Sequence, residues 1–107
     1  MSVYVDPTHV YHNAWGSFLK GSCHMFCDRG DEDLLHKLAA RIGMRRSWFQ
    51  MDRDGGHYDL VPSKRALAVA GGAVEVDLHQ AVEVWQRNRE RIAAERAVAP
   101  KTKEEAT

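Results

Sequence analysis

A predicted β-hairpin near the middle of the chain constrains the fold most. Two strand-like runs, 47–51 and 57–61, flank a loop at 52–56 that ends in two glycines, as a hairpin connection requires. Residues alternate between faces along a strand, so His57 and Asp59 share one face while their neighbours face the core. The hairpin therefore predicts a sheet with an apolar side and a polar side.

The rest of the chain predicts an α+β fold: a small mixed β-sheet of four or five strands with two helices packed on it and a long C-terminal helix. At 107 residues, a single domain is expected. It is placed at 1–99, with a disordered tail at 100–107. The other predicted segments are strands at 2–5, 22–27 and 73–76, a long loop at 7–21, and helices at 31–42, 63–71 and 78–97.

The charge balance indicates which partners the protein can bind, and the absence of export and membrane signals indicates its cellular compartment. Fifteen basic and fifteen acidic side chains cancel, so neither nucleic acid nor membrane binding is expected from general electrostatic attraction. No apolar run reaches the roughly 18 residues of a membrane helix, and the N-terminus lacks the pattern of a signal peptide. These features predict a cytoplasmic protein in which Cys23 and Cys27 are reduced, buried thiols.

The strongest candidate site begins on the strand 57–61. His57 and Asp59 lie about 7 Å apart by strand geometry, and the strand leads directly into a predicted helix that begins with Ser63-Lys64-Arg65. A helix N-terminus attracts anions. The helix dipole disfavours basic residues at this end, so the presence of two of them suggests that they bind an anion. We expect His57 and Asp59 to be catalytic, Ser63 to cap the helix, and all three helix residues to bind a small anionic ligand.

Two further residues belong to this candidate site. The stretch Cys23-His24-x-x-Cys27-Asp28 suggests a metal site, but strand positions four apart are about 13 Å apart, too far to share one ion. No metal site is therefore predicted, and any cofactor is left open. The one metal arrangement left open is that His24 joins His57 across the sheet. His24 is otherwise expected there as a third catalytic residue, and Gln50 can approach His57 through the hairpin to bind the ligand.

The remaining candidates favour structural roles. His36 lies off the apolar stripe of its helix, and His79 lies in the first turn of the last helix, so both are expected to be exposed. The C-terminal helix carries a thin apolar stripe, which we expect to pack partly on another chain as a homodimer. The stripe consists of Val82, Trp85, Ile92 and Ala93.

Several short motifs occur in a fixed order along the chain. They are Asp6 after the opening strand, His24-Met25 with Asp28, Leu35-His36, Ile42-Gly43, Trp48-Phe49-Gln50, His57-Tyr58-Asp59-Leu60, Ser63-Lys64-Arg65-Ala66 and Gly72-Ala73-Val74. Over about residues 2–76, this order resembles the bacterial and phage family catalogued as domain of unknown function 4031. The resemblance implies no reaction, because the family has no settled activity. It implies only that these polar residues are the ones to examine.

Two functions remain open from the sequence. In the first, the chain binds, and in an enzymatic version hydrolyses, a phosphorylated small molecule or nucleotide. Arg65 and Lys64 would hold the anion, and His57 would be the general acid or base oriented by Asp59. In the second, the chain is a non-catalytic phage or host regulatory protein that assembles through its C-terminal helix.

Overall fold

The computed structural model describes residues 2–8 and 21–105, and their side chains to Val98. Most of the predicted loop at 7–21, including His9 and His12, lies outside the described residues. The expected boundary between a domain at 1–99 and a disordered tail at 100–107 stays a prediction.

Five strands form one mixed sheet, which confirms the predicted α+β fold. The sheet order is β3-β4-β2-β1-β5; all neighbouring pairs are antiparallel except β1 and β5, which are parallel. The hairpin is formed by β3 and β4. The strands are β1 (Val3–Val5), β2 (Cys23–Cys27), β3 (Gln50–Asp52), β4 (Gly55–Leu60) and β5 (Val74–Glu75).

Within the described residues, three helices accompany the sheet. They are α1 (Glu32–Arg41), α2 (Pro62–Ala70) and α3 (Leu78–Glu105). A 3₁₀ turn at Arg46–Trp48 occupies the start of the run that the sequence predicted as strand 47–51, and β3 begins only at Gln50. The last helix continues past its predicted end at 97.

Local chemistry explains where the helices begin and end. Gly43 adopts a positive φ of 85°, and the Met44 amide donates back to the Ala39 carbonyl, which closes α1 as a glycine at that place does. Asp77 caps α3 reciprocally: its side chain accepts from the Gln80 amide, and the Gln80 side chain accepts from the Asp77 amide.

The prediction that Ser63 caps the second helix is wrong. Pro62 occupies the first turn, the N-cap is Val61, and no side chain makes a capping hydrogen bond there. Proline suits the first helical position because its φ is already helical and its missing N–H would have no partner in the helix.

One face of the sheet packs against α1 and α2 to form the main core. Leu35, Leu38 and Ala68 from the helices meet strand residues such as Met25 and Tyr58 in a single buried cluster. Tyr58 and Leu60, the neighbours of His57 and Asp59 that the sequence assigned to the core, are therefore in it. This packing leaves the opposite face of the same strands for α3.

The opposite face carries a smaller apolar cluster under α3. Phe26 packs with Ala81 and Val84, and Trp85 is partly buried against them. Of the predicted stripe, Ile92 is buried, whereas Val82 is 38 % exposed and is left for the packing on another chain that stays a prediction. Below this cluster, α3 is attached by Asn88, a buried side chain that donates to the Cys27 carbonyl and accepts from the Arg29 amide.

The cysteines are free and buried in the main core, as predicted. Burial raises the pKa of Cys23 to about 11 and that of Cys27 to about 12, so both are neutral thiols. In the described part of the chain, none of the helices combines the length and the apolar character needed to cross a lipid bilayer.

Candidate functional site

The polar face of the sheet gathers side chains from neighbouring strands. The register places His24 of β2 opposite Asp59 of β4, and Phe26 opposite His57. Because partners across a ladder point to the same side, His24, His57 and Asp59 lie on one face. The His24 and His57 ring centroids are 5.0 Å apart, and the rings are nearly perpendicular at 87°.

His24 is held by a carboxylate from the next strand. Asp6 follows β1 and is fully buried, with 0 % of its surface exposed. Its side chain accepts from the His24 backbone amide at 2.6 Å and lies 2.8 Å from His24 Nδ1. This hydrogen bond raises the pKa of His24, and nearby carboxylates add to it against the opposing effect of burial. With Nδ1 occupied, Nε2 is the nitrogen turned towards Asp59, at 3.9 Å from its Oδ1.

His57 is arranged in the same way. Its Nδ1 lies 3.3 Å from Asp52 Oδ2, and its Nε2 lies 3.5 Å from Asp59 Oδ1. Asp52 reaches this place because the hairpin register sets β3 directly beside β4. Each imidazole thus has one nitrogen at an outer carboxylate and the other at Asp59.

Asp59 lies between the two imidazoles and has a partner of its own. Its Oδ2 accepts a hydrogen bond of 2.7 Å from the Gln50 side-chain amide. The other oxygen, Oδ1, is the one that faces both histidines. Gln50 lies directly opposite His57 in the ladder, so the hairpin brings it to the site as the sequence predicted.

A cavity of about 200 Å³ opens beside the two histidines. The hairpin forms its floor and Trp85 of α3 forms a wall, with its ring 5.9 Å from that of His24. Gly56 lies in the floor, and a side chain at this position would displace Phe49, because a Cβ there would lie 1.8 Å from the Phe49 ring. Among the described residues, the lining contains two carboxylates and no Lys or Arg; it consists of His24, Asp52, Asp54, Gly55, Gly56, His57 and Trp85.

A second, larger groove lies on the other side of Asp59. Its volume is about 570 Å³, and its surface is largely apolar. Gln50 and Asp59 line it, so it is continuous with the polar set. The remaining lining residues are Met44, Ser47, Trp48, Val61 and Lys64.

The predicted helix residues do not join the histidines. The Arg65 guanidinium donates to the Asp6 backbone carbonyl and to Glu75 Oε1, so its charge is already compensated. Lys64 donates to the Ile42 carbonyl at 2.6 Å and reaches only the apolar groove, and Ser63 is exposed. The expectation that Arg65 and His57 face one cavity is not met, because no described residue of α2 lines the cavity beside His57.

The prediction for His36 is wrong. Its side chain is half-buried, lies 2.8 Å from the Tyr58 hydroxyl, and packs edge-on against Phe49. Burial lowers the pKa of His36. It therefore belongs to the apolar side of the hairpin, away from the cavity, whereas His79 is 82 % exposed as predicted.

Sequence reasoning missed the outer residues of the site. Asp6, Asp52 and Trp85 come from three separate parts of the chain, and only the strand register and the docking of α3 bring them to the histidines. Asp6 had one visible signal, because it is the first of the ordered motifs that carry the family resemblance; its role beside His24 was not predicted.

The arrangement has two chemical uses. His57 can exchange a proton with a ligand while Asp59 orients the ring. Alternatively, one ligand atom each from His24, His57 and Asp59 could hold a metal ion, because these atoms lie within 4.8 Å of one another. Both uses depend on His57 and Asp59, whose Nε2 and Oδ1 atoms lie 3.5 Å apart.

Comparison with known proteins identifies a family, but the description of that family names no activity. The sequence profile of a family described as "Protein of unknown function (DUF4031)" matches residues 3–88. The matched segment runs from β1 into α3 and so contains every residue of the polar site described above. Neither a curated protein nor a solved structure matches the chain.

Proposed function

This chain belongs to the DUF4031 family of proteins of unknown function, and we propose that it binds and hydrolyses a phosphorylated small molecule. The observation that carries the proposal is the convergence of His24, His57 and Asp59 on one open face. Their outer atoms are held by fixed partners, and their inner atoms are turned towards each other. Such pre-positioned acid and base groups beside a cleft are typical of a reacting centre.

The neighbouring groove supports a ligand larger than phosphate. It shares Asp59 and Gln50 with the polar set and offers an apolar wall that includes Trp48 and Val61. Ligand sites combine an apolar surface with a few polar groups that fix orientation. In the proposed complex, the organic part of the ligand lies in the groove, where a planar group such as a nucleobase can stack on Trp48. The phosphoryl group lies at Asp59 and the histidines.

The proposed reaction is the hydrolysis of a phosphate ester. The oxygen of a water molecule forms a bond to phosphorus, and the bond from phosphorus to the organic oxygen breaks. One proton of the water passes to the leaving oxygen, and the other stays on the phosphate. His24, His57 and Asp59 are the groups in position to remove and return this proton or to act on the water through a bound cation.

Phosphate release from a panel of nucleotides and sugar phosphates tests the proposal. We expect at least one compound to be hydrolysed and to raise the melting temperature, since a ligand that binds only the folded state stabilises it. His57→Ala and Asp59→Asn should abolish turnover. His79→Ala is the matched control, because His79 is an exposed histidine on α3. Turnover that survives both site variants would contradict the proposal.

A non-catalytic interaction protein is the second candidate. One observation favours it: among the described residues, every buried side-chain nitrogen and oxygen already has a hydrogen-bond partner, as a purely structural polar network requires. In this alternative, α3 pairs two copies through side chains left exposed, such as Leu78 and Val82. The homodimer stays a prediction. Sedimentation that shows a monomer at high micromolar concentration would exclude it.

A further inference from the structure

The charge at the polar site conflicts with direct binding of phosphate. The carboxylates of Asp6, Asp52 and Asp59 lie within 4 Å of the two imidazoles. Arg65, which donates to the Asp6 carbonyl, is already paired with Glu75, and Arg89 is paired with Asp54. A bare phosphate would meet net negative charge here, and like charges at this distance repel each other. The site has the charge of a cation site.

We propose that His24 Nε2, His57 Nε2 and Asp59 Oδ1 bind one divalent transition-metal ion, such as Zn²⁺. Both Nε2 atoms lie close to the same oxygen, at 3.9 and 3.5 Å. Ligand atoms around a tetrahedral zinc ion lie about 3.4 Å apart when the metal–ligand distances are about 2.0–2.1 Å. All three ligand atoms lie within 4.8 Å of one another, so side-chain rotations that close these gaps by up to about 1.4 Å would bring them to zinc-site distances. The sequence argument against a metal concerned residues of one strand, whereas these three ligands come from two neighbouring strands.

The groups behind the ligands are the independent second observation. Protein metal sites usually hold the far nitrogen of each ligating histidine with a carboxylate or a carbonyl, which fixes the ring and raises its basicity. Here Asp6 takes that place for His24, at 2.8 Å, and Asp52 for His57, at 3.3 Å. Gln50 holds the far oxygen of Asp59 at 2.7 Å. All three proposed ligands thus have an outer partner, and the buried Asp6 has its carboxylate directed at His24.

The ligand set also indicates the class of ion and its use. Two imidazoles and one carboxylate suit zinc and ferrous iron better than magnesium or calcium, which prefer oxygen ligands. Three protein ligands leave a coordination position for water or for a phosphoryl oxygen, as catalytic sites do. The inference deepens the proposed function, because the ion would supply the positive charge that the phosphoryl group needs.

Titration of the metal-free protein with the metal alone tests the inference. Protein dialysed against chelator is titrated with Zn²⁺ by calorimetry and with Co²⁺ by visible absorption, in the absence of any phosphate ester. We expect one ion per chain and a cobalt spectrum typical of nitrogen and oxygen ligands. Cobalt should also quench Trp85 fluorescence, since Trp85 lies against His24. The quenching should be lost in Trp85→Phe.

The variants separate ligands from outer partners. Asp59→Asn should abolish binding while the fold is retained, because Asp59 is 49 % exposed. His57→Ala should do the same. Asp6→Asn should weaken binding by about 10–100-fold, the range measured for outer partners of metal ligands, and leave the stoichiometry unchanged. His79→Ala removes an exposed histidine and should leave the affinity as in the wild type.

Two results would overturn the inference. One is wild-type protein that binds neither Zn²⁺ nor Co²⁺; the other is binding that Asp59→Asn and His57→Ala leave unchanged. Its failure is distinguishable from failure of the proposed function. Hydrolysis that persists in chelator would reject the metal site and leave the hydrolase proposal standing. Tight metal binding without any turnover would reject the hydrolase proposal and leave the metal site standing.

Discussion

The two faces of the sheet are built from the same strands and differ in almost everything else. The face under α1 and α2 buries thirteen residues in one cluster, whereas the cluster under α3 contains three. The rest of the second face holds paired histidines and carboxylates. Apolar burial stabilises the fold from one side, which leaves the other side able to carry charged groups that contribute little to stability. Substitutions on the apolar face should therefore lower the stability of the fold, whereas substitutions on the polar face should change it much less.

The largest effect is expected in the centre of the apolar face. Leu35 of α1 is fully buried there, so Leu35→Ala should lower the free energy of unfolding by about 2–5 kcal/mol through lost burial and the cavity it leaves. Urea denaturation followed by circular dichroism measures the change. Leu67→Ala, on the exposed side of α2, is the control and should cost much less. An equal loss in both variants would refute the assignment of the core.

An intermediate effect is expected where the two faces meet. Gly56 lies in the cavity floor, and its missing Cβ is replaced by the ring of Phe49. Gly56→Ala should cost about 1–3 kcal/mol by overpacking. In a Phe49→Leu background the same substitution should cost less, and a double-mutant cycle from urea denaturation gives the coupling energy. Simple additivity would show that the ring and the glycine do not compete for space.

The smallest effect is expected from an ionic contact that fastens α3 to the sheet. Burial alone would raise the pKa of Asp28, but hydrogen bonds from Arg87 and Tyr4 outweigh it, and the pKa is lowered. A folded-state pKa below the unfolded value adds stability that is present above the unfolded pKa. That stability is lost as the pH falls through the folded pKa.

Asp28→Asn should therefore lower the free energy of unfolding at pH 7 by about 0.5–1 kcal/mol, as for a partly exposed ion pair. The difference from the wild type should shrink below about pH 4, where the unfolded carboxyl is protonated. Denaturation at a series of pH values provides the measurement. A difference that stays constant down to pH 2 would show that the charge of Asp28 is not the cause.

The sequence predicted most of the features that depend on local periodicity, with the exception of His36, which lies off its helical stripe and yet packs against Phe49. The two faces of the second hairpin strand follow from alternation, and Gly43 ends α1 where a residue with positive φ is needed. The strand register is not local, so the approach of Asp6 to His24 could not be read from the sequence. Arg65 was misplaced for a related reason: the distance along the chain was short, but the direction of α2 relative to β4 was unknown.

The wall formed by Trp85 has a consequence for the order in which the protein is synthesised. His24, His57 and Asp59 precede α3 in the sequence, so they leave the ribosome before it does. Their polar face has no Trp85 wall until α3 has been synthesised and has docked through Asn88. If the site takes up an ion, the nascent chain could load it before the cavity is complete.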